Sequence, residues 1–157
     1  MGMKVLESLK DAGATYEVID CDPSFADTAE FCNHYGYSLD ESANAILLEG
    51  KAESPVYALC VVLATTRINV NKVARKRLGT RKASFASAEI TKELTGMEIG
   101  GVTPVGLPVD LPIWIDSLVM ETRKVIIGAG SRSAKIYLSP DNLLRFPNTH
   151  IAVSYTH

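Results

Sequence analysis

The stretch best suited to chemistry is Gly100-Gly101-Val102-Thr103-Pro104-Val105-Gly106-Leu107-Pro108. Three glycines and two prolines in nine residues exclude a helix interior and a central strand. Glycine lets another backbone or a ligand come close, and proline stiffens the same loop. Such a loop holds main-chain N–H and C=O groups in fixed positions, which suits a small polar ligand or a developing oxyanion. The composition fits a tight connection between a helix and a strand equally well, and leaves both readings open.

The other reactive side chains form no familiar catalytic set. No serine or cysteine is matched with a histidine, and neither G-x-S-x-G nor a phosphate-loop lysine occurs. Gly128-Ala129-Gly130 is a fragment of a dinucleotide fingerprint and more simply marks a bend at a strand end. Asp110 and Asp116 bracket the strand after the loop without a partner carboxylate, so no acid–base dyad is supported. Cys21, Cys32 and Cys60 make an odd count with no C-x-x-C spacing, which argues for free thiols in a reducing cytoplasm. His34, His150 and His157 lack metal-ligand spacing, so neither a metal nor another cofactor is expected.

Charge is unevenly spread. Residues 1–55 carry 3 basic and 11 acidic side chains, and the remainder carry 13 and 7. Such a split marks a dipolar surface and an anionic partner for the second part. Lys72, Arg75, Lys76, Arg77, Arg81 and Lys82 form the densest basic cluster. It reads either as a solvated face or as a contact to nucleic-acid phosphates. No aromatic residue interleaves with it, which argues against base stacking by this segment.

These residues need a scaffold, and hydrophobic periodicity supplies one. With 157 residues, 46% of them hydrophobic, the chain fits one domain with a sizeable core. No apolar run approaches the ~18 residues of a membrane helix. The N-terminus leads straight into an amphipathic segment, so no signal peptide is expected. Helices are predicted over Met3 to Ala12, over Ser24 to His34 with Ser24 as N-cap, over Val70 to Leu78 and over Ala88 to Thr95 with Ser87 as N-cap, with a short one from Pro140 to Leu144. Strands are predicted at Tyr16 to Asp20, Asn44 to Glu49, Val56 to Ala64, Lys82 to Phe85, Ile113 to Asp116, Lys124 to Ile127 and Ala134 to Leu138, with an edge strand near Ile151-Ala152-Val153. Gly50 to Pro55 reads as a hairpin turn. The expected class is α+β, a mixed, mostly antiparallel sheet of about six or seven strands with packed helices.

Leu94-Thr95-Gly96, Gly100 to Pro104 and Gly106-Leu107-Pro108 resemble the YbaK/prolyl-tRNA synthetase-associated domain family. The likeness extends to Ile113-Trp114-Ile115-Asp116, to Gly128-Ala129-Gly130 and to Ile136-Tyr137-Leu138-Ser139-Pro140 with Leu143-Leu144, roughly Ala43 to Leu144. It implies a single domain over residues 1–157 that hydrolyses mischarged aminoacyl-tRNA in trans. The resemblance suggests a small amino acid, with tRNA-Pro as a carrier and an aminoacyl-tRNA synthetase as a further partner. Editing of this kind answers a physical limit, since a synthetase pocket discriminates weakly against a smaller or isosteric amino acid. Gly100 and Gly101 would orient the ester, and Val102, Thr103, Pro104, Gly106, Leu107, Asp116, Gly128 and Gly130 would contact the substrate. A ribose hydroxyl of the substrate would help the attacking water. Where the family usually has a catalytic lysine, Ser42-Ala43-Asn44-Ala45-Ile46-Leu47 places Asn44, which keeps hydrogen-bonding capacity but no charge. A non-catalytic module that holds an aminoacyl-tRNA end or a nucleotide-like ligand is the alternative.

Overall fold

A computed structural model describes residues 3–108 and 110–152. Its centre is β3 (Val56–Leu63), whose apolar run is covered on both sides. Alternation sends Leu59 and Val61 into one core, and Cys60 and Val62 into another. β2 (Ala43–Lys51) pairs antiparallel with β3 in the register Asn44 to Val62 and Leu47 to Leu59. β4 (Lys82–Phe85) adds antiparallel to the far half of β2, and β5 (Ile113–Asp116) and β8 (Thr149–Ala152) add in parallel beyond β3. The order of this sheet is β4-β2-β3-β5-β8.

β1 (Glu17–Asp20), β6 (Val125–Gly128) and β7 (Ala134–Leu138) form a second, antiparallel sheet in the order β1-β7-β6. The sheets meet where Ser42 makes a parallel bridge with Ile126. The larger core lies between them. Leu47, Leu59 and Val61 face Ile127, Ile136 and Leu138, and α1 (Met3–Asp11) closes one end with Val5 and Leu9. Among the described residues, no helix is long and apolar enough to cross a membrane.

The α+β class is as expected, but the strands divide between two sheets of 3 and 5. Pairing of strand edges is a long-range choice that local periodicity does not encode. β2 runs on through Lys51, into the expected turn, because β4 continues the ladder there, pairing Lys51 with Lys82. Ser24 does not cap a long helix. It lies in a 3-10 turn, Pro23–Phe25, where the Asp22 carboxylate accepts its N–H at 2.9 Å and its hydroxyl at 2.7 Å. α2 (Thr28–Tyr35) starts later, with Asp27 at the cap position.

The predicted helix over Val70 to Leu78 is a π-helical turn, Val70–Ala74, followed by α3 (Arg75–Leu78). α4 (Ala88–Thr95) begins as expected, with the Ser87 hydroxyl accepting the Ile90 N–H at 3.1 Å. The segment Pro140–Arg145 is a 3-10 helix. A short α5 (Ser117–Met120) after β5 had no signal in the periodicity. The last expected strand is β8, and its predicted residue Val153 lies outside the described residues.

Candidate active site

β4 pairs with β2 only over Leu48–Lys51, so the first half of β2 keeps an open edge. α2, the segment Ile99 to Val102 and β6 stand against that edge and enclose a cavity of about 510 Å³. The volume lies in the range of small-ligand sites. Asn44, Gly100, Val102 and Gly128 line it, together with Thr28, Glu30 and Lys135.

Close backbone approach shapes the glycine–proline loop. A Cβ on Gly128 would overlap the Val102 carbonyl, and one on Gly101 would lie 2.7 Å from the Ser131 carbonyl carbon. The Gly130 N–H donates to the Gly101 carbonyl at 2.7 Å, which fixes this contact. These glycines therefore let loop and strand lie main chain to main chain. The Gly101 N–H donates to the Glu98 carbonyl at 2.9 Å, inside the loop rather than toward a ligand. Of the two glycines assigned to catalysis, Gly100 reaches the cavity and Gly101 packs behind it.

Two cations hold the loop in place. The Arg132 guanidinium donates to the Ile99 carbonyl at 2.7 Å, to the Pro23 carbonyl at 3.0 and 3.2 Å, and to Asp27 Oδ1 at 3.1 Å. It ties the loop to the chain that precedes α2. Lys135, on β7, is only 6% exposed, and its Nζ donates to the Gly100 carbonyl at 2.7 Å. The ammonium also lies 5.7 Å from the centre of the Phe31 ring. Burial pushes the Lys135 ammonium below the usual lysine range, and the nearby Cys21 thiol opposes that shift.

Asn44 is held from the other side. The Thr28 hydroxyl donates to Asn44 Oδ1 at 2.5 Å. With its oxygen engaged, the amide has its nitrogen left to donate. Beside it, Ser42 Oγ and Cys32 Sγ lie 3.1 Å apart. All three cysteines are buried and none is joined in a disulfide, and desolvation raises the pKa of Cys21.

The remaining sequence-based candidates are dispersed. Thr103 is fully buried, and its hydroxyl has no hydrogen-bond partner. Pro104, Gly106 and Leu107 border a separate cavity of about 310 Å³ beside α1 and Arg145. Asp116 is buried at the start of α5, away from the cavity wall, and Gly130 packs on Val5 and Met97. Lys72, Arg75, Lys76 and Arg77 sit on the π-helical turn and α3, and Arg81 and Lys82 lead into β4. None of the six lines the cavity.

Lys135, Thr28 and Arg132 were missed. The one legible signal was a lysine within the apolar strand Ala134-Lys135-Ile136-Tyr137-Leu138.

A two-sheet α+β domain with a cavity between an open strand edge and a glycine-stiffened loop defines a class already known from relatives. The chain belongs to the aminoacyl-tRNA editing domain family, whose profile matches residues 22–146. It is 31% identical over 130 residues to the Bacillus subtilis "Uncharacterized protein YwhH", covering 83% of this chain and 80% of that protein. It is 26% identical over 103 residues to the Enterococcus faecalis "Putative Cys-tRNA(Pro)/Cys-tRNA(Cys) deacylase EbsC", covering 66% of this chain and 61% of that protein. A crystal structure of "a putative trans-editing enzyme for prolyl tRNA synthetase" superposes with a TM-score of 0.81 at 23% identity, covering 98% of this chain and 97% of that one. That last likeness is one of fold.

Proposed function

We propose that the protein is an aminoacyl-tRNA deacylase that acts in trans in the cytoplasm and removes a small amino acid from a mischarged tRNA, with tRNA-Pro the first carrier to test. The observation that carries this reading is the convergence of Asn44, the Gly100 main chain and Lys135 on one cavity. Where the family's lysine is expected stands a neutral amide, and Lys135 is the one cation among the described residues lining the cavity. The charge therefore enters from β7 instead of β2.

Water adds to the ester carbonyl, and the tetrahedral intermediate collapses with cleavage of the acyl–oxygen bond. The neighbouring ribose hydroxyl relays the water's proton to the departing ribose oxygen, giving a free amino acid and an uncharged tRNA. The Asn44 amide nitrogen, oriented by Thr28, donates to the carbonyl oxygen as charge develops on it. Lys135 adds a fixed positive potential behind Gly100, where low dielectric makes it count. Glu30 at the wall matches the α-ammonium of an aminoacyl group, and Ala45, Ala86 and Ile126 leave apolar space for a small side chain.

The experiment is a screen of tRNAs misacylated with cysteine, alanine, serine and threonine, with loss of the ester followed against buffer alone. Hydrolysis of at least one of them is expected. Binding of the charged tRNAs without hydrolysis of any would sink the catalytic reading and leave a binding module. Co-migration with a prolyl-tRNA synthetase tests the further partner.

A further inference from the structure

Arg132 lies in the turn between β6 and β7, outside the cavity wall, and its guanidinium closes on the Ile99–Gly100 peptide. That peptide is the centre of a β-turn, Glu98 to Gly101, closed by the Gly101 N–H on the Glu98 carbonyl at 2.9 Å. Gly100 is third in the turn with a φ of +93°, the conformation of a type II turn. The central peptide of such a turn stands across the turn plane. Turning it over gives a type I turn, with the carbonyl and the N–H exchanged.

The two cations hold two successive peptides. Lys135 takes the Gly100 carbonyl at 2.7 Å, and Arg132 Nη1 takes the Ile99 carbonyl at 2.7 Å. The guanidinium is itself fixed. Nε and Nη2 fork onto the Pro23 carbonyl at 3.2 and 3.0 Å, and Nη1 also donates to Asp27 Oδ1 at 3.1 Å. A Cβ on Gly100 would overlap that guanidinium, so the glycine allows the close approach.

We propose that Arg132 is a positioning residue for the deacylation: by holding the Ile99 carbonyl it turns the Gly100 N–H toward the cavity, as a second donor to the oxyanion beside the Asn44 amide. The inference rests on the deacylase reading for the identity of the oxyanion. The Ile99–Gly100 peptide is trans, so its N–H points opposite to its C=O. With the carbonyl on Arg132, behind the wall, the N–H points the other way, where Gly100 borders the cavity. No described residue accepts that N–H. Asp27 precedes Thr28, whose hydroxyl holds Asn44. One guanidinium thus steadies both donors, the Gly100 N–H directly and the Asn44 amide through Asp27 and Thr28.

The test first reads the orientation by nuclear magnetic resonance, without any substrate. In whole protein with isotopic labels in isoleucine carbonyls and glycine nitrogens, two peptides join the labels, Ile99–Gly100 and Ile127–Gly128. The second, in β6, is an internal reference. In the wild type the Gly100 N–H should show strong cross-relaxation with Ile99 Hα, as a type II turn requires. Arg132→Ala should weaken that signal in favour of the Ile99 N–H and leave the reference unchanged. With a charged tRNA that the wild type hydrolyses, Arg132→Ala should lower kcat at least about tenfold, a cautious share of the effect of one preorganised donor. KM should stay within about twofold, because the lost interaction belongs to the transition state. Arg132→Gln, whose single amide does not span Pro23 and Ile99, should repeat both effects and covers the case in which the alanine variant does not fold. A turn signal unchanged in both variants would overturn the proposal, whatever happens to kcat. A flipped turn with kcat within about threefold of wild type would overturn it too. A turn signal that depends on Arg132, in a protein that hydrolyses no charged tRNA, would keep the orientation and remove the deacylase reading.

Discussion

Replacing Lys135 by methionine keeps the length of the side chain and deletes its charge. In the folded protein the ammonium is buried, donates to the Gly100 carbonyl at 2.7 Å and stands in the wall of the cavity. At an effective dielectric of about 20, a unit charge taken to stand about 5 Å from a developing oxyanion contributes about 3 kcal/mol. That corresponds to a fall in kcat of about 100-fold. Stability should change far less. The Gly100 carbonyl loses its donor, at a cost of about 1–3 kcal/mol, while a poorly solvated charge is removed, which offsets most of it.

The assay is single-turnover deacylation beside a thermal melt, both followed across pH. Because burial lowers the lysine's pKa from its ordinary 10.5, the unfolded chain binds more protons than the folded one between the folded value and 10.5. Stability of the wild type should therefore rise with pH through that window, and the methionine variant should lack the rise. The catalysed rate of the wild type should fall over the same window as the charge is lost. A methionine variant with kcat within about threefold of wild type, and a folded-state Tm close to it, would refute the electrostatic role given to Lys135.

Further outcomes follow from the same geometry. Asn44→Ala should lower deacylation at least about tenfold, a cautious share of the effect of one preorganised donor, and an unchanged rate would place Asn44 outside the site. Thr103→Val removes a buried hydroxyl without a partner, so chemical denaturation should find it neutral or more stable by about 1 kcal/mol. Gly101→Val drives a branched side chain into the Ser131 main chain and should cost at least about 2 kcal/mol in the same measurement. Thiol titration of the denatured, unreduced protein should count three thiols, and slow labelling of the native protein should follow from their burial.

Much of the fold was legible because its signals are local. The alternation of Val56 to Leu63 with cores on both faces, the Ser87 cap and the glycine ends of α2 and α4 depend on neighbours a few residues away. The loop from Gly100 was legible as a rigid element for the same reason, and Asn44 was found because a family pattern has a lysine there. The tertiary structure decided which strands share a sheet, and so where an open edge remains. It turned Gly101 and Thr103 away from the cavity and left Gly100 and Val102 on it. It brought Lys135 under Gly100, 35 residues away in sequence, and Thr28 to Asn44, 16 away. Hydrophobic periodicity marks apolar side chains such as Leu59 and Val61 for burial. A lysine's or an amide's role depends on the partner across the gap, and that partner is chosen only when the sheets pack.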